Sequence, residues 1–418
     1  MKESKKRAEK IEIRIQELVA LSSSAGAINR AFGTLAFIEY QQKIESWMKL
    51  AGLQTFIDNI GNVRGRLLSK NPMAKTFVIG SHFDNVREAA SYDGALGVLA
   101  GLDLLETLIA QSVSLPFNIE LIAFSESKGS RFNITYLGSK IIAGNFDSDL
   151  LGRKDVDGIS LNTVLESLHY NSNQIIEDKI PGDQWLGYFE IHIEHGPVLF
   201  KNDLPVGIVT AIDGVRKISI EFTGVEAHAG TVPMKMRTDA LCTAAEFVLA
   251  VEQFALSKKS KVVASIGNIA IKGNPDNIIP AKVNCILDIR SGSKKKLSKA
   301  YQILNEICEQ ICDRRKVYFE WRLLQELNPV VSDDFLNKLL SKAVNKADVE
   351  VFEMESGTAH DAISIAPVAP FCMLFVKCVE SATQNQLERV EIQDIATALE
   401  VGDYFIEELS LRVWEEQI

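Results

Sequence analysis

The sequence predicts a discontinuous α/β protein with a ferredoxin-like α+β domain inserted into it, on three observations. Thr76-Phe77-Val78-Ile79-Gly80 is a short run rich in β-formers, Gly94 to Ala110 reads as a mostly apolar helix, and Asn118–Phe124 is a second β-forming run. Strand, helix and strand at that spacing make a βαβ unit in a mostly parallel mixed sheet flanked by helices. From about residue 214 the texture changes: strand 215–224, helix 235–255, strands 261–271 and 282–289, helix 294–312 and strand 316–323 follow one another. That order, βαββαβ, is the ferredoxin-like unit. Finally, 418 residues exceed one ordinary core, and strand patterns resume at 349–354 and 371–376. The expected division is therefore 1–213 with 326–418 as one domain and 214–325 as the insert.

The remaining elements and the composition agree with this plan. Helical periodicity runs over 4–20 and 32–52, with Gly52 as the stop. An apolar fraction of 46% with 24% charge describes a soluble globular chain. A net charge of -10 argues against nucleic acid or an anionic membrane as the main partner. No apolar run approaches the roughly 20 residues of a membrane span, and the charged N-terminus is not followed by a signal core. The six cysteines are scattered without a CxxC pair, and Cys308 and Cys312, four apart on a helix, read as buried thiols. A reducing cytoplasm fits that usage.

Six histidines occur, at 82, 169, 192, 195, 228 and 360, and all but His169 lie in short Gly- or Pro-punctuated segments. Gly80-Ser81-His82-Phe83-Asp84 ends a strand, and Tyr92-Asp93-Gly94-Ala95 opens the next helix. In such sheets ligands gather at the carboxyl ends of the strands. Imidazole and carboxylate are the usual zinc ligands, so His82 and Asp93, with His192 or Glu194, are candidate metal ligands. Asp84 is spaced to accept the other N–H of His82. His169 belongs to no motif.

A long ordered series of motifs extends this picture. It includes Gly129-Ser130-Arg131-Phe132, His192-Ile193-Glu194-His195-Gly196-Pro197, Ala227-His228-Ala229-Gly230-Thr231-Val232-Pro233-Met234 and Asp276-Asn277-Ile278-Ile279-Pro280. It continues with Leu287-Asp288-Ile289-Arg290-Ser291 and Ser356-Gly357-Thr358-Ala359-His360-Asp361-Ala362. With these the chain resembles the M20-type zinc hydrolases, in the branch of N-carbamoyl-L-amino acid hydrolases, β-ureidopropionases and allantoate amidohydrolases. The resemblance implies a zinc-peptidase-like fold and a homodimer formed through the inserted lid domain. It also implies a binuclear site bridged by Asp93, with His82 and His192 completing one metal's ligands. His228 would stabilise the oxyanion, Asn277 and Arg290 would hold the carboxylate and polar backbone of a small-molecule substrate, and His360 would line the reacting centre.

Three departures fall together in the other half of that site. The resemblance places two glutamates, a general base and a ligand, where this chain has Ser127 and Lys128, and a histidine ligand where it has Gln384. A lysine cation is repelled by a neighbouring metal, and a neutral glutamine is a poor zinc ligand. One divalent metal, zinc or manganese, is expected, and the second is not. Lys128 is expected to set its ammonium against Asp93 in that metal's place. Ser127 cannot take a proton from water unaided, so Glu126 becomes the candidate base if a turn swings it inward, with Glu194 in reserve. Ala227 and His195 replace an asparagine and a glutamine, and His195 is a candidate substrate contact or extra ligand. Three readings follow: a one-metal amidohydrolase for N-carbamoyl or N-acyl amino acids, a silent member that keeps the carboxylate pocket, or non-hydrolytic chemistry with Lys128 as base or nucleophile.

Overall fold

The computed structural model describes residues 2–21, 31–84, 91–129, 131–257, 260–271, 276–379 and 388–417. It divides into one unit of 1–210, 332–354 and 360–418 and a second of 211–331 and 355–359. The second unit is longer than the expected insert for a local reason. Val330–Val331 pairs with Ile212 and Ala211, and the Asp213 N–H donates to the Ser356 carbonyl at 2.8 Å, so 355–359 joins the same body.

The first unit is built on a sheet whose strands lie in the order Gln54–Ile57, Val63–Leu67, Asn118–Phe124, Thr76–His82, Trp185–Ile193, Phe371–Val376 and Val206–Ile212. The four central strands run parallel and the outer pairings are antiparallel. The central strands are buried along nearly their whole length, which explains why they read as continuous apolar runs rather than alternating ones. Helix Ala95–Ala110 lies against the sheet. At Gly97 an added Cβ would stand 2.1 Å from the Ile191 carbonyl, so only glycine permits the approach.

Some expected boundaries shift. The helix expected over 32–52 spans Leu35–Leu50, because the Thr34 hydroxyl accepts the Phe37 N–H as an N-cap. The helix expected from 235 starts at Ala240, where Asp239 caps the Cys242 N–H at 2.9 Å. The strand expected over 349–354 is Glu353–Ser356, since Val349 N–H instead closes the preceding helix on the Val344 carbonyl.

The second unit carries a four-stranded antiparallel sheet in the order Tyr318–Leu327, Gly214–Thr223, Lys282–Ser291, Val263–Ile271. Helices Ala240–Leu256 and Lys294–Arg315 cover one face around a core that includes Ile218, Phe222, Phe247, Leu287 and Leu304. Burial alternates residue by residue along Lys282–Ser291, as a sheet covered on one face requires. Cys285, Cys308 and Cys312 are buried in that core. Among the described residues no helix is long and apolar enough to cross a membrane.

Candidate functional site

Parallel strands bring their carboxyl ends to one edge, and that is where the candidate residues gather. His82 is the last residue of Thr76–His82, His192 is the penultimate residue of Trp185–Ile193, and Glu126 to Lys128 follow Asn118–Phe124. Asp93 arrives on the turn before helix Ala95–Ala110. Gly94 makes that turn at φ +72, and an added Cβ would lie 2.4 Å from His82 Nδ1.

The ligand atoms are close and correctly protonated for a metal. His82 Nδ1 lies 3.0 Å from the Asp84 carbonyl and His192 Nδ1 lies 3.0 Å from the Ile193 carbonyl. A carbonyl only accepts, so both Nδ1 atoms carry the proton and both Nε2 atoms present lone pairs. Those Nε2 atoms are 3.3 Å apart, and they lie 3.3 Å (His82) and 3.4 Å (His192) from Asp93 Oδ1. Tetrahedral zinc bonds of about 2.0–2.1 Å put ligand atoms about 3.3–3.4 Å apart. Two bare nitrogens and a carboxylate oxygen at that spacing repel unless a cation joins them. Burial holds His192 neutral, at about 4. The residues therefore fit one metal.

Asp93 also takes a lysine. Lys128 Nζ stands 3.3 Å from Asp93 Oδ1 and 3.2 Å from Oδ2, with its side chain 24% exposed. Burial alone would lower the Lys128 pKa, but Asp93, Asp84 and Asp361 outweigh it and raise it. Burial likewise works against ionised Asp93, yet the Lys128 ammonium holds it well below the usual range. His195 Nε2 is a further 3.3 Å neighbour of Asp93 Oδ1, and its buried Nδ1 has no hydrogen-bond partner among the described residues.

The turn after Phe124 is tightly held. Ser125 N–H and hydroxyl bond to Asn62 Oδ1 and the Ile60 carbonyl, at 2.9 and 2.7 Å. The Asp84 carboxylate accepts the N–H groups of Ser127 and Lys128 at 3.0 and 3.2 Å. Asp84 thus serves His82 through its carbonyl, while its carboxylate, expected there, fixes the turn and lies 3.9 Å from the ring. Ser127 hydroxyl donates to Asp361 Oδ2 at 3.1 Å, and Ser139 hydroxyl donates to Oδ1 at 2.6 Å.

Of the two candidate bases, Glu194 has both oxygens engaged and Glu126 has one, its buried Oε2 finding no hydrogen-bond partner among the described residues. Glu126 does sit in a turn, at φ +46. Its Oε1 accepts the Arg131 N–H at 3.4 Å, and burial with Asp84 nearby raises its pKa to about 8. Both Glu194 oxygens accept N–H groups of Val198 and Leu199 at 2.8 Å, capping the short helix that follows.

Sequence reasoning overlooked Glu190. It is fully buried, takes the Tyr188 hydroxyl at 2.9 Å and the Ala362 N–H at 3.1 Å on one oxygen, and lies 3.9 Å from His360 Nδ1 through the other. The signal was a carboxylate two residues before His192 in an apolar strand, hence on the same face. The roles of Asp361 and Ser139 were overlooked too, because their partners lie 234 and 222 residues away along the chain.

The other candidates belong to the second unit. His228 pairs with Ile278 in a two-residue ladder, and its Nε2 is 3.4 Å from the Asn277 amide. Arg290 grips both Asp288 oxygens at 2.8 and 3.0 Å and donates to the Gly357 carbonyl at 2.7 Å. Gln384 and Ser130 lie outside the described residues.

Comparison with known proteins gives concordant results. The family model described as "Peptidase family M20/M25/M40" matches residues 81–408. The chain is 30% identical over 394 residues to an N-carbamoyl-L-amino acid amidohydrolase of Geobacillus stearothermophilus, covering 94% of this chain and 96% of that one. It is 32% identical over 419 residues to an allantoate deiminase of Arabidopsis thaliana, covering 92% and 79%. A solved amidase of the hydantoinase/carbamoylase family from Burkholderia multivorans superposes with a TM-score of 0.91 at 28% identity, covering 96% of this chain and 98% of that one.

Proposed function

The chain belongs to peptidase family M20/M25/M40, in the carbamoylase and allantoate amidohydrolase branch, and on that premise we propose that it hydrolyses the C–N bond of an N-carbamoyl or related N-acyl amino acid with a single divalent metal. The observation that carries the reading is the set of groups gathered on Asp93. The imidazole nitrogens of His82, His192 and His195 lie 3.3–3.4 Å from Oδ1, and the Lys128 ammonium contacts the same carboxylate at 3.3 Å (Oδ1) and 3.2 Å (Oδ2).

His82, Asp93 and His192 would hold the metal, zinc or manganese, which when bound supplies a Lewis acid for the substrate carbonyl. Lys128 keeps the positive charge of the second half-site. A raised Lys128 pKa favours the ammonium, which supports a charge-balancing role over one as base or nucleophile. Arg290 would take the substrate carboxylate bidentately, exchanging its bonds to Asp288. His228 and Asn277 would complete the polar contacts, with His195 and His360 near the reacting group. The inserted domain would form the homodimer, which sedimentation at graded concentrations would reveal.

A second reading has its own support. Glu194 spends both oxygens on backbone N–H groups, Glu126 spends one, and position 127 itself carries a hydroxyl in place of a carboxylate. On that reading the chain binds a carboxylate-bearing small molecule without hydrolysing it. Metal analysis of purified protein combined with an assay on N-carbamoyl amino acids decides. One metal per chain with turnover supports hydrolysis, and two metals would sink the one-metal reading. Binding without turnover would favour the silent member.

A further inference from the structure

The residue standing where a base was expected is itself arranged as a nucleophile. Ser127 hydroxyl donates to Asp361 Oδ2 at 3.1 Å, and the other Asp361 oxygen is fixed by the Ser139 hydroxyl at 2.6 Å. A hydroxyl, a carboxylate within hydrogen-bond reach and a third group that orients the carboxylate form the geometry of an activated nucleophile. The hydroxyl cannot drift, because Asp84 anchors the N–H groups of both Ser127 and Lys128. The next residue supplies a fixed ammonium whose side chain is 24% exposed, while Ser127, Asp361 and Ser139 are buried.

We propose that Ser127 is a covalent nucleophile that accepts the carbamoyl or acyl group, with Asp361 as the proton acceptor. The inference rests on the amidohydrolase reading. Ser127 Oγ attacks the substrate carbonyl carbon while its proton passes to Asp361 Oδ2. The C–N bond breaks, and the departing amine takes that proton, leaving a carbamoyl-serine ester and a free amino acid. Water then adds to the ester carbon, Asp361 accepts the water's proton and returns it to Oγ, and the acid departs. Lys128 supplies positive charge beside the developing oxyanion. This two-step route needs no carboxylate that reaches water in the first step.

The test uses the full chain and p-nitrophenyl carbamate, with intact mass, peptide mapping and release of p-nitrophenolate as readouts. One carbamoyl increment on Ser127, with a stoichiometric burst, is expected in the wild type. Ser127→Ala should abolish both, and Asp361→Asn should slow labelling by about 100-fold or more. Ser127→Cys guards against a simple folding defect, because it should still label at position 127. A label on Lys128 instead, no label at all, or an undiminished burst in Ser127→Ala would overturn the proposal. Turnover of N-carbamoyl amino acids without any Ser127 adduct would reject the covalent step while leaving the hydrolase reading intact. Labelling at Ser127 without turnover of any N-carbamoyl or N-acyl amino acid would do the reverse.

Discussion

A single side chain, Lys128, sets the electrostatics of the site. Its ammonium neutralises Asp93 and lies close enough to Asp84 and Asp361 to feel both. Removing one partner of a buried ion pair leaves the other uncompensated, at a cost of about 3–5 kcal/mol. Lys128→Met is therefore expected to destabilise metal-free protein by about 3 kcal/mol in chemical denaturation, the low end because the lysine is 24% exposed. Added zinc or manganese should recover part of that loss in the variant. An unchanged denaturation midpoint would show that Asp93 does not depend on the lysine.

At the scale of elements, two short connections hold the site, and each can be tested separately. The turn into helix Ala95–Ala110 needs φ +72 at Gly94, and a methyl there meets the His82 ring. Gly94→Ala should cost about 1–3 kcal/mol in stability and lower metal affinity by about 10-fold or more, read by competition with a chromogenic chelator. The loop between strands Gln54–Ile57 and Val63–Leu67 is closed by Asp58, which accepts the Asn62 N–H and amide at 2.8 Å. Asn62 in turn holds Ser125. Burial is the main force raising the Asp58 pKa, and it reaches about 7 from 3.8 despite Arg64. Between those values the folded chain binds a proton that the unfolded chain has released. This stabilisation is full below about pH 4 and is lost as pH rises through about 7, with a slope of up to about 1.4 kcal/mol per pH unit. Asp58→Asn should flatten that part of the stability profile, and denaturation midpoints across pH 4–7 would show it.

For the whole molecule, the two units have separate hydrophobic cores, and the candidate ligands His82, Asp93 and His192 all belong to the first. A ligand stabilises only what it binds, by about 2.7 kcal/mol at a hundredfold excess over Kd. Metal addition should slow amide hydrogen exchange in strands Thr76–His82 and Trp185–Ile193. It should leave strands Gly214–Thr223 and Lys282–Ser291 unchanged. Equal protection of both units would mean that the metal couples them.

What the sequence determined by itself was the architecture and the half of the site that local pattern can carry. Apolar runs and helical periods are written in consecutive residues, so both parallel strands of the βαβ unit, the six elements of the insert and the His82, Asp93 and His192 positions were legible. The oddity of Ser127 and Lys128 was legible as well, as a cation and a hydroxyl where carboxylates were expected. Only the tertiary structure decided where those side chains point. Asp84 gives its carbonyl to His82 and its carboxylate to a turn some forty residues on, a choice that spacing alone does not specify. Glu126 and Glu194 turn to backbone N–H groups, and Ser127 meets Asp361 from the far end of the chain. The physical reason is that a buried polar atom must find a partner wherever the fold brings one, and that partner is seldom a neighbour in sequence.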